Sequence, residues 1–144
     1  MLQRPAFILG WLGLVPAGAA MLAAALAPPE WREFAYRWGA LYAGLILSFL
    51  GGAWWGMATR AGPERAWPLY ILSVLPSLAA LVLLMLLDGA RMILMGLVIL
   101  LTLPVDRHLL RLGLAPANWM QLRVPLTLGL AIATIALGFL ALEA

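Results

Sequence analysis

The segment Tyr36–Ala58, YRWGALYAGLILSFLGGAWWGMA, decides the fold class, because no charged residue interrupts it between Arg37 and Arg60. As an α-helix rising about 1.5 Å per residue, it covers the roughly 30 Å hydrocarbon core of a bilayer. Trp38, Trp54 and Trp55 stand near its ends, where amphipathic rings suit the membrane–water interface.

Four further apolar stretches flank it, and the chain reads as an all-α integral membrane bundle of five transmembrane helices in a single domain. The expected spans are about 5–27, 36–58, 67–87, 91–105 and 118–142. Of the 144 residues, 65% are hydrophobic and only 10% charged, too few charges to build a water-facing surface. The lipid bilayer is therefore the expected partner. In the first span Arg4, the apolar run Ala6–Val15 and Ala17-Gly18-Ala19 follow the order of a secretory signal. The apolar run continues beyond the would-be cleavage point, so we read it as a retained span. Pro16 and Pro76 are expected to bend the helices that contain them.

The connection Asp88-Gly89-Ala90-Arg91 is short enough to make the third and fourth spans antiparallel neighbours. The fourth span is the shortest, its uncharged core from Met92 to Val105 covering only about 21 Å. After it, residues 106–112 segregate polar and apolar side chains at helical spacing and predict a short interfacial helix between helices 4 and 5. Five spans place the termini on opposite sides. Arg4, Arg60, Arg65, Arg107, Arg111 and Arg123 fall on the N-terminal side, against Arg32, Arg37 and Arg91 on the other. By the positive-inside rule the N-terminus is expected in the cytoplasm and the C-terminus in the periplasm. All nine basic residues are Arg. Arg without Lys, together with abundant Ala and Gly, suggests a GC-rich bacterium and hence the bacterial inner membrane.

Several function classes are excluded or weakened. The arginines form no stripe that could track phosphates, so no nucleic acid is expected as a partner. The absence of Cys removes thiolate nucleophiles and Cys-ligated metal centres. His108 is the only histidine, whereas a metal centre needs three or four converging ligands. No metal site and no catalytic residue is expected, and no cofactor can be named from the residues. The balance leans against an enzyme.

Three groups of residues stand out. Ala40, Gly44, Ser48, Gly52 and Gly56 recur every fourth residue, a small-xxx-small ridge that lets another helix come close, either inside the bundle or on a partner protein. Asp106 and Arg123 are expected at one membrane surface as a candidate ion pair, with fastening of adjacent helices the simpler role. Arg107, His108 and Arg111 would contact lipid headgroups or a quinone.

The run Tyr42–Gly56 resembles the signature of a membrane family of unknown function, domain of unknown function 3429, itself similar to animal transmembrane protein 69. The likeness continues in Ser73-Val74-Leu75-Pro76-Ser77, in Asp106, in Asn118-Trp119, in Leu122-Arg123 and in Leu126-Thr127. Trp54 departs from it, standing where the resemblance leads us to expect a polar or basic residue. The resemblance implies five helices and imports no activity. The leading expectation is a helix-packing accessory subunit of a larger membrane assembly, respiratory or photosynthetic, or a homo-oligomer. The alternative is a lipid- or quinone-handling membrane protein, with a transporter third.

Overall fold

The computed structural model describes residues 1–144 and is all-helical. Its elements are α1 (Arg4–Leu12), α2 (Val15–Leu26), α3 (Pro29–Ala58), α4 (Pro63–Met85), α5 (Gly89–Arg111) and α6 (Trp119–Glu143). Helices α1 and α2 together form the first span, giving five segments long and apolar enough to cross a membrane.

The first span breaks just ahead of Pro16. Proline has no N–H, and its ring crowds the carbonyl four residues earlier, that of Leu12. The backbone answers with a tighter turn, in which Gly13 N–H donates to the Gly10 carbonyl and Leu14 N–H to that of Trp11. The Tyr42 hydroxyl from α3 donates to the Gly13 carbonyl, satisfying a backbone acceptor at the break. By contrast, α4 continues through Pro68 and Pro76 without interruption.

Helix α2 packs against α3 and α6, with Ala17, Ala20 and Ala24 buried. Helix α1 buries no residue fully and rests on α6, where Gly10 faces Leu122 and Leu126. Leu2 and Asn118 exchange two hydrogen bonds, Leu2 N–H to Oδ1 at 2.7 Å and Nδ2 to the Leu2 carbonyl at 3.1 Å. The chain start is thereby tied to the entry of α6.

Two expectations need correction. Residues 106–111 are the last turns of α5 and not a separate interfacial helix, so the fourth span runs from Gly89 to Arg111. Asp106 does not end the span because its carboxylate is fully buried and paired inside the bundle. Helices α4 and α5 do adjoin, but the most extensive packing in the molecule is between α5 and α6. There Gly138 lies against the backbone of Gly89 and Ile93, and Gly96 against Ala131 and Ile135. Small residues allow this approach, and apolar lipid leaves close packing as the principal force holding such helices together.

Candidate functional site

The polar interior is built from two stripes on facing helices. On α5, Thr102 and Asp106 are four residues apart, and on α6 so are Trp119, Arg123 and Thr127. Residues at that spacing lie on one helix face, so the α5–α6 pairing brings the stripes together. Trp54 of α3 supplies a third side.

Asp106 is the hub. Its Oδ1 accepts from Trp54 Nε1 at 2.9 Å and from Trp119 Nε1 at 2.8 Å. Its Oδ2 accepts from Arg123 Nε at 2.7 Å. Arg123 also donates through Nη2 to Thr102 Oγ1 at 3.3 Å, and the Thr102 hydroxyl donates to the Ile99 carbonyl at 2.6 Å. A carboxylate away from water is tolerable only when its lone pairs and its charge are both met, and here three donors from α3 and α6 meet them.

Next to this cluster lies a cavity of about 450 Å³. It exists because of the break at Gly13–Leu14: below the break α2 packs on α3, whereas α1 leans on α6 and leaves a wedge beside α3. Leu14, Leu47, Leu50, Ile99 and Leu130 form most of its depth. Leu9 of α1 and Phe49 of α3 line it while being 68% and 75% exposed, so the wedge opens sideways, toward the lipid. Its polar wall consists of Thr102, Arg123 and Thr127, with Trp119 alongside. The Thr127 hydroxyl is buried with no hydrogen-bond partner, alone among the buried side-chain polar atoms.

The sequence-selected residues divide accordingly. Asp106 and Arg123 are brought together in the interior, while Arg107, His108 and Arg111 point outward from the end of α5. The ridge on α3 is split. Ala40 is buried among Ala20, Ala24, Met92 and Leu137; Gly44 faces Ala80 and Leu84 of α4; and the Ser48 hydroxyl pairs with that of Ser77 at 2.9 Å. Gly52 and Gly56 are exposed and face open space. Thr102, Trp119 and Thr127 were not selected as site residues by sequence reasoning, although the four-residue recurrence of polar side chains on α5 and α6 marks them.

The family model described as "Protein of unknown function (DUF3429)" matches residues 2–140, nearly the whole chain. The chain belongs to that family. No curated protein and no solved structure matches the chain. The DUF3429 match covers the first four apolar helices, all but the end of the fifth, and every residue of the buried cluster, so cluster and cavity lie within the family's domain.

Proposed function

We propose that this protein binds an amphiphile of the bilayer, a lipid or quinone, in the wedge between α1 and α3. The cavity carries this reading: an apolar chamber open toward lipid that ends on a buried polar wall of Arg123, Thr102 and Thr127. Pockets of a few hundred Å³ with apolar walls and a few convergent polar groups suit small hydrophobic ligands. The chain of such a ligand would leave between Leu9 and Phe49, and its head would meet the donors of α6.

The test is gentle-detergent purification followed by mass spectrometry of the lipids that accompany the protein, for wild type and for Ala53→Phe. Ala53 lines the cavity, and a phenyl ring there would take up part of its volume and narrow it. A bound amphiphile in the wild type that is lost from the variant is the expected result. An identical lipid profile for the two proteins would sink the proposal.

A second reading, an accessory subunit or homo-oligomer, draws on Gly52 and Gly56, whose open face on α3 allows a foreign helix to come close. The same purification tests it, through a stoichiometric protein partner that disappears in Gly52→Leu. In either reading we place the protein in a bacterial inner membrane with its N-terminus in the cytoplasm. Arg4, Arg60, Arg65, Arg107 and Arg111 are all exposed at one end of the bundle. At the other end Arg37 and Arg91 are paired with Glu33 and Asp88.

A further inference from the structure

We propose that the head of the bound molecule is uncharged and presents a carbonyl oxygen to Arg123 and Thr127, as a quinone or an acyl ester does. This rests on the amphiphile-binding reading above and goes on to specify the chemistry of the ligand.

Two independent observations lead to it. The first is charge balance. Arg123 is held at 2.7 Å from Asp106, so the polar wall has no net charge to offer. An anionic head brought into this apolar chamber would be buried without a counter-charge, and a cationic one would meet the guanidinium. The second is the donor inventory. Arg123 spends Nε on Asp106 and one Nη2 proton on Thr102, and no hydrogen bond engages Nη1. Guanidinium only donates, so what it recognises must accept. One helical turn along α6, Thr127 is 1% exposed and lines the same cavity, and its buried hydroxyl has no partner. Buried hydroxyls are ordinarily satisfied, often by the carbonyl one turn back, as Thr134 does with the Leu130 carbonyl at 2.8 Å. A carbonyl oxygen in the chamber satisfies both Thr127 and Arg123 without adding charge.

Thr127→Val tests this, because it keeps the shape and deletes the hydroxyl. In the empty protein the hydroxyl has lost water and gained nothing, so the variant is expected to unfold at a higher temperature than wild type. Binding should change in the opposite direction. With the protein in detergent at pH 8, decylubiquinone, monoolein and oleate are titrated against wild type, Thr127→Val and Ala53→Phe by native mass spectrometry. The wild type is expected to hold decylubiquinone or monoolein at least ~10-fold more tightly than oleate, and Thr127→Val to weaken the preferred probe about 5–10-fold, the worth of one hydrogen bond. A preference for decylubiquinone assigns the head to the quinones, and a preference for monoolein assigns it to acyl esters.

Oleate binding as tightly as the neutral probes overturns the inference, as does a Thr127→Val variant that is less stable and binds undiminished. If those results come with binding that Ala53→Phe abolishes, the cavity reading survives and only the head-group chemistry fails. If none of the three probes binds the wild type, both fail.

Discussion

At the scale of single residues, Asp106 is the most consequential side chain, because its three donors come from two other helices. Removing one member of a buried ion pair strands the other charge in a low-dielectric interior, which typically costs about 3–5 kcal/mol. Asp106→Asn is therefore expected to lower the thermal unfolding midpoint in detergent sharply. The double variant Asp106→Asn with Arg123→Gln should recover part of the loss, since no uncompensated charge remains. Additive losses in the double variant would mean that the two residues act separately. Trp54→Phe removes one indole donor and keeps the ring, so a smaller loss of about 1–3 kcal/mol is expected in the same assay.

At the scale of elements, close packing and capping decide which helices hold together. A Cβ added at Gly138 would stand 2.7 Å from the Gly89 carbonyl oxygen and 2.8 Å from the Ile93 nitrogen, both backbone atoms that cannot swing aside. Gly138→Ala should force α5 and α6 apart and destabilise by roughly 1–3 kcal/mol, as overpacking does. Gly52→Ala, with nothing near its added methyl, should leave stability unchanged or slightly raised. Comparing the two unfolding midpoints separates a packing glycine from an open one. The start of α5 supplies a pH-sensitive element. Asp88 accepts from the Arg91 backbone N–H at 2.8 Å, and this bond, reinforced by the Arg91 charge, holds its carboxyl below the ordinary value of 3.8. A carboxylate whose folded-state pKa is depressed stabilises the fold above its unfolded pKa and loses that contribution as pH falls through the folded one. The capping contribution should thus be complete at neutral pH, begin to fade near pH 4 and be lost as the pH drops further through the depressed folded-state value. Asp88→Asn should remove this portion of the acid dependence, measured as unfolding midpoint against pH.

At the scale of the whole molecule, the break in the first span sets the shape. It divides one apolar stretch into α2, which closes the bundle, and α1, which leaves it open beside α3. Orientation also belongs to this scale. The exposed arginines at the N-terminal end predict that a reporter active only in the cytoplasm works when fused to the N-terminus and fails when fused to the C-terminus. A C-terminal fusion active in the cytoplasm would contradict the proposed orientation.

Much of this architecture was legible in the chain itself. Apolar runs of bilayer length predict five spans whatever their packing, because a continuous apolar run of about 20 residues matches the hydrocarbon core as a helix, which pairs its own backbone groups. The positions of Asp106 and Arg123, one late in α5 and one early in α6, already put them at the same end of the bundle. The length of the fourth span was not legible, because a charge reads as a helix's exit from lipid unless its partners are known. The roles of Trp54 and Trp119 were hidden for a related reason: an isolated Trp near a span end reads as an interface anchor, and only a carboxylate within 3 Å turns its indole into an interior donor. The α3 ridge was visible as a pattern, but not how it divides between α4, the interior and open space.

Sequence alone thus determined what is local, namely the membrane-spanning class, the five helices and the likeness to the DUF3429 family. Hydrophobic length and residue pattern act along one stretch of chain and need no neighbours. Tertiary structure decided what depends on pairs of helices: the α5–α6 seam, the three donors that meet on Asp106 and the wedge with its unpartnered Thr127. Those follow from which faces meet and how the break ahead of Pro16 redirects α1, and neither is fixed until distant segments pack.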